Sequence, residues 1–306
     1  MNVRRGVSVL GLLTLAAAGV AACSSSSGGS GSGVALVAST DVWGDVAKQV
    51  AGSVKGVQIT SVITDPAADP HSYESDARTA LAVKRADVIV ENGGGYDDFM
   101  DTLRTSYNTD AAVLNAVTIS GHKAAVDGDL NEHVWYDFPT VITVADRIAA
   151  ALGKADDGDA SAFKANAAAF DKRVQALEAT EAGLKAKYAG KGVAITEPVP
   201  LYLLQACGLV NRTPAKFSEA IEEGTDVSVA VLNQTEQLFR SRSVALLAYN
   251  EQTSGAETEQ VLSVARQNHV PVVPVTETLP KGDTYLSWMA KNLAAVGTAL
   301  GSATGK

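Results

Sequence analysis

Four residues of metal-ligating type fall where this chain leaves a predicted strand or approaches a predicted helix. His71 lies in DPHSYES, Asp69 to Ser75, after the apolar run from Val57 to Ile63. His133 lies in NEHVWYD, just ahead of a helical stretch, while Glu197 follows GVAIT and Glu277 follows VPVVPVT. Neutral imidazoles offer borderline nitrogen donors, and carboxylates offer hard oxygen and neutralise the charge of a divalent cation. Zinc accepts such a set tetrahedrally, whereas manganese and iron accept it with a bidentate carboxylate or an added water. The chemistry of the four is metal binding, provided that the chain brings them together. The other two of the four histidines are placed differently. His122, in a polar loop, is positioned for transient capture at most, and His269, in RQNHVPVV at a strand entrance, reads as structural. No GxSxG or HExxH supports hydrolysis, and no GxGxxG or P-loop spacing supports nucleotide binding.

The elements that must position these residues alternate between strand and helix. Val34 to Ser39 reads as a buried strand, and Thr40 or Asp41 caps an amphipathic helix through about Val50. The strand Val57 to Ile63 leads into DPAADPHSYES, and Ser75 or Asp76 opens a second helix. A third strand, Asp87 to Asn92, ends in three glycines. Ala112 to Val117, a polar loop and the helix beginning at Phe138 follow. Such alternation indicates parallel βαβ units.

From Asp159 to about Ala189 the pattern changes to a long helix with no proline and a single glycine, Gly183. Phe163, Phe170, Leu177 and Leu184 recur at heptad spacing, interrupted by Glu181. At about 1.5 Å per residue the helix would span roughly 45 Å, long enough to pack against two domains and link them. A second α/β half follows, with strands at Gly192 to Thr196, Ser243 to Tyr249 and Val270 to Val275 and a helix from about Val199 to Cys207. The expected fold is therefore α/β, with two lobes carrying parallel-rich sheets joined by one long rigid linker helix. The lobes span residues 34–155 and 191–306, the linker 156–190. Open α/β sheets bind ligands at the C-terminal ends of their strands, which would place the four candidates in the interlobe cleft.

The N-terminus sets the compartment. MNVRRG is basic, Val7 to Gly19 is apolar or small, and Val20-Ala21-Ala22-Cys23 is a small-residue cleavage site ending on cysteine. This is a secretory signal, too short and weakly apolar for a stable membrane span. It resembles a bacterial lipoprotein signal over residues 1–22, with Cys23 lipidated as the mature N-terminus and residues 23–33 serving as a flexible Ser/Gly tether. Each buried acyl methylene contributes about 0.8 kcal/mol to anchoring. Cys207, the other of two cysteines, then has no partner and reads as a buried, inert side chain. The net charge of −9 argues against nucleic acid as a partner.

Four stretches together resemble the metal-receptor (zinc/manganese) solute-binding lipoproteins of ABC importers. They are STDVWGDVAKQVAG, VITDPAADPHSYESDARTALAVKRADVIVENGGGYDDFM, EHVWYD and VTETLPKGDTYLSWMAKNL, and the likeness runs from about Val34 to Ala299. The resemblance implies two α/β lobes joined by one long helix, with a metal between them. The histidine of the family's DPHxYE motif falls on His71 and that of its HxW motif on His133. The third ligand falls on Glu197, and the fourth, usually aspartate, on Glu277. The family's zinc members often carry a histidine-rich loop before HxW, and the loop Ser120 to Glu132 holds only His122 here; the set of two histidines and two carboxylates resembles the manganese-type receptors more. The implied function is capture of Zn²⁺ or Mn²⁺ as transported ion and delivery to an ABC permease. The expected form is a monomer held outside the cell membrane by its lipid, and not an enzyme. The rival expectation is a surface metalloenzyme or metal-dependent adhesin on the same scaffold.

Overall fold

The computed structural model describes residues 33–107, 110–124 and 130–304. The expected signal, Cys23 and the tether up to Ser32 lie outside the described residues.

The first sheet consists of β1 (Val34–Thr40), β2 (Val57–Ile63), β3 (Val88–Glu91) and β4 (Ala112–Asn115), in the order β2-β1-β3-β4. All its pairings are parallel, with Val34 opposite Val57, Leu36 opposite Val88 and Val88 opposite Ala112. β1 and β3 are almost wholly buried, as central strands covered on both faces must be, and they read as continuous apolar runs. β2, at the edge, alternates between more and less exposed residues.

Around this sheet pack α1 (Asp41–Ala51), α2 (Ala77–Lys84), α3 (Asp98–Tyr107), α4 (Ala116–Ser120) and α5 (Phe138–Ala155). Three of these starts carry a side-chain cap. The side chain of Asp76 accepts from Thr79 N, that of Asn115 from Thr118 N and that of Asp137 from Thr140 N.

The second sheet repeats the first. β5 (Gly192–Ile195), β6 (Val210–Asn211), β7 (Leu247–Asn250) and β8 (Val272–Val275) pair in parallel in the order β6-β5-β7-β8. Its helices are α7 (Leu201–Ala206), α8 (Ala215–Glu222), α9 (Val229–Arg240), α10 (Ala256–Gln267) and α11 (Tyr285–Thr304). In both sheets the chain leaves the first strand to one side and returns to the other, so each has a crevice at the C-terminal ends of its two central strands.

Between the sheets runs α6 (Ala160–Tyr188), 29 residues long and about 43 Å at the standard rise. Phe163, Ala167, Phe170 and Val174 form its buried stripe, and the Phe170 ring lies 6.1 Å from that of Tyr285. Asn166 donates through Nδ2 to Val50 O and Ala51 O, closing the C-terminus of α1. Glu181, the break in the heptad stripe, is itself buried, and burial pushes its carboxyl up to about 8.

The long helix does not link the sheets alone. One continuous core takes in β1, β3, α1, α5 and α6 as well as β5, α7 and α11. Cys207 lies within it, and burial pushes its thiol up to about 12, so it is an unreactive packing residue as the sequence suggested.

Candidate metal centre

His71 is set by a short 3₁₀ turn, Pro70–Ser72. Proline supplies the pre-set φ at the first position of the turn, and Asp69 caps it. Asp69 Oδ1 accepts from His71 N at 2.9 Å and Oδ2 from Ser72 Oγ at 2.8 Å. Asp69 thus ties both the backbone and a side chain of the turn that carries the imidazole. The ring stands edge-on to Tyr96 at 5.1 Å, and its Nε2 lies 3.8 Å from Glu132 Oε1.

His133 begins a second 3₁₀ turn, Val134–Tyr136, and is 1% exposed. Its Nδ1 is 2.7 Å from Asn131 Oδ1, which also accepts from His133 N at 3.1 Å. A side-chain amide oxygen only accepts, so Nδ1 holds the ring proton and Nε2 presents its lone pair. Burial, aided by the neighbouring His71, pushes the imidazole down to about 3, which keeps it neutral as a ligand must be.

A chain of contacts behind His133 holds it in place. Asn92 Nδ2 donates to Glu132 O at 2.9 Å, and Trp43 Nε1 donates to Asn92 Oδ1 at 3.2 Å. The loop after β3 is pinned by Asp97, which accepts from the backbone N–H groups of Asn92 and Gly93 at 2.6 and 2.7 Å. Gly93 has φ +77°, and a Cβ there would meet the Asn115 amide at 2.2 Å. Glycine is therefore required for the turn that brings Tyr96 between the two imidazoles.

Glu197 stands two residues beyond β5 and is buried, with Oε2 lacking a hydrogen-bond partner. Burial, then the nearby Glu277, pushes its carboxyl up to about 8. Glu277 follows β8 and is also raised by burial; its Oε1 accepts from Asn250 Nδ2 at 2.8 Å. The backbone N–H of Glu277 donates to Gln252 Oε1, and Gln252 Nε2 reaches across to Pro66 O on the His71 loop.

All four residues singled out from the sequence line one cavity of about 150 Å³, together with Asp69, Glu222, Gln252 and Thr253. The tightest grouping within it includes only one of them. The donor atoms of Glu132, His133 and Glu222 lie within 4.8 Å of one another. Sequence reasoning missed both glutamates. Glu132 sits beside His133 in EHVW and was open to notice. Glu222 ends α8, in a segment to which the sequence reading assigned no element, and its carboxyl is raised by burial and by Glu132, Glu197 and Glu277.

The remaining histidines lie elsewhere. His122 stacks on Tyr202 at 4.6 Å, and its Nε2 is 3.1 Å from Asp137 Oδ2, so the ring is tied to the start of α5. His269 lines a groove of about 440 Å³ with Lys191, Gly192 and Ser243, at the strand entrances of the second sheet.

A parallel α/β chain with twin switch-point crevices and a histidine–glutamate cavity, its His133, Glu197 and Glu277 buried and its His71 open to solvent, belongs, as a class, with two-lobed receptors that enclose a small ligand. The family model for the periplasmic component A of the zinc-uptake complex, ZnuA, matches residues 36–299, and the chain belongs to that family. Among its relatives is the manganese ABC transporter substrate-binding lipoprotein scaA of Streptococcus gordonii. The two are 25% identical, over 94% of this chain and 97% of scaA. The fold matches that of FpvC from Pseudomonas aeruginosa in complex with Ni²⁺, with a TM-score of 0.73 at 23% identity, over 90% of this chain and 99% of FpvC. It also matches the periplasmic zinc-binding protein TroA from Treponema pallidum, with a TM-score of 0.72 at 16% identity, over 87% and 98% of the two chains.

Proposed function

We propose that this protein captures a divalent transition metal, Zn²⁺ or Mn²⁺, outside the cell membrane and delivers it to an ABC permease. His71, His133, Glu197 and Glu277 are its ligands. The observation that carries this reading is the arrival of two imidazoles and two buried carboxylates in one small cavity, with His133 held neutral and its Nε2 free. Two carboxylates with raised proton affinity balance the charge of a dication once they ionise. Membership of a metal-uptake family supports the same reading, and the named relatives support both ions. Binding and release of cargo, rather than catalysis, suits a cavity whose walls are mostly ligand-type side chains. Anchoring through Cys23, a Ser/Gly tether and a monomeric state complete the proposal.

Calorimetry on chelator-stripped protein tests it. The wild type is expected to bind one equivalent of Mn²⁺ or Zn²⁺, and His71→Ala to lose about a hundredfold or more in affinity, given that even the groups supporting a ligand carry about 10–100-fold. Equal affinity of wild type and variant for both ions would overturn the ligand assignment.

A further inference from the structure

Glu222 is a half-buried carboxylate, lining the same cavity, that the four-residue ligand set does not use. It stands at the last position of α8, where the helix dipole disfavours a negative charge. It faces Glu132, Glu197 and Glu277, which disfavour it further. Its Oε1 is buried without a hydrogen-bond partner, and so is Oε2 of Glu197, which is 4% exposed and lines the same cavity. Buried acceptors without partners are rare and point to an ion or group that completes them. Oε1 lies 3.7 Å from His133 Nε2. Two donors on one ion, each at about 2.0–2.2 Å, stand no more than about 4.4 Å apart, so both atoms fit around a single cation.

We propose that Glu222 is a further ligand of the captured ion and sets its preference towards Mn²⁺ relative to Zn²⁺. The proposal rests on the metal-site reading above. Zinc is satisfied by four donors in a tetrahedron, and two imidazoles with two carboxylates already fill it. Manganese takes more oxygen ligands in an octahedral arrangement, so an extra carboxylate at bonding reach benefits it selectively. Absolute affinity still rises from Mn²⁺ to Zn²⁺ for any site of this kind. What Glu222 changes is the ratio of the two dissociation constants.

The test compares wild type, Glu222→Gln, Glu222→Asp and His71→Ala, each stripped with chelator and titrated with Mn²⁺ and with Zn²⁺ against a competing chelator. Electron paramagnetic resonance of the Mn²⁺-loaded proteins is recorded alongside. Glu222→Gln is expected to weaken Mn²⁺ about tenfold or more and Zn²⁺ less than about threefold, on the scale seen when a group supporting a metal is removed. The Mn²⁺ spectrum should change, and Glu222→Asp should recover part of the loss. A ratio that stays the same or moves towards Mn²⁺ in Glu222→Gln overturns the proposal. If His71→Ala still loses both ions in that case, the metal-site reading stands and the Glu222 assignment alone fails. If His71→Ala also binds as wild type, the metal-site reading has failed.

Discussion

Removing Asn131 separates support of a ligand from ligation itself. Asn131 Oδ1 takes two hydrogen bonds from His133, from the ring Nδ1 at 2.7 Å and from the backbone N at 3.1 Å. Its Nδ2 donates to Pro198 O at 3.2 Å, beside Glu197, and its carbonyl accepts from Tyr202 Oη at 2.7 Å. Asn131→Ala removes the side-chain contacts and keeps the Tyr202 bond. The Nδ1–H then loses the acceptor that fixes the tautomer, and Nε2 is no longer held as the free donor. Loss of such a partner costs about 10–100-fold in metal affinity, or about 1.4–2.7 kcal/mol. The abandoned His133 groups, on a buried side chain, cost folding stability a further ~1–3 kcal/mol. Asn131→Asp restores an acceptor and should keep most of the affinity. Competition titration with a chromophoric chelator reads the affinities, and thermal denaturation of the stripped proteins reads the stability. If folded Asn131→Ala binds metal within about threefold of wild type, less than the loss of a supporting group is worth, then His133 is not a ligand through Nε2 and the reasoning fails.

Metal binding should release protons at neutral pH. Glu197 is raised to about 8 from an ordinary value of 4.5, and Glu222 and Glu277 are raised as well, so metal-free carboxyls hold protons that a cation displaces. Affinity should therefore climb as pH rises through 7 towards 8; calorimetry in buffers of different ionisation enthalpy counts the protons, and a count of zero at pH 7 contradicts the shifts. The same shifts carry a stability signature. A folded state that holds protons the unfolded chain has lost above about 4.5 grows less stable as pH rises from there towards 8. This contribution should vanish once the metal is bound, as denaturant melts with and without ion will show. Phe170→Ala, at the contact of α6 with Tyr285, should destabilise the fold by about 3–5 kcal/mol, measured by urea unfolding, and a loss below 1 kcal/mol would refute the shared core.

Much of this architecture is legible in the sequence because its signals are local. The apolar run at Val34, the Thr40–Asp41 boundary and the heptad spacing of Phe163 and Phe170 each mark an element by pattern alone. The structure keeps those bounds within a residue or so for β1, α1 and α6. The start of β7 is less legible. Residues 243–249 form one apolar run, but the strand begins at Leu247, where pairing with Val272 starts, and Val244 and Leu246 are buried without being in it. Periodicity cannot divide such a run.

The candidate site was readable where a proposed ligand follows a strand, as Glu197 and Glu277 do. Glu222 was not, because α8 is a two-turn helix with only Phe217 and Ser218 buried, and its last residue reaches the cavity through tertiary placement. The single core across both sheets was equally hidden, since no local pattern states which helix faces meet.

The most direct test of the central claim is anomalous diffraction from crystals of the stripped protein reloaded separately with Mn²⁺ and Zn²⁺. One peak is expected for each ion inside the cavity lined by His71, His133, Glu197 and Glu277, within about 2.0–2.3 Å of both imidazole Nε2 atoms. A peak at the groove beside His269, or none in the cavity at full loading, would contradict it.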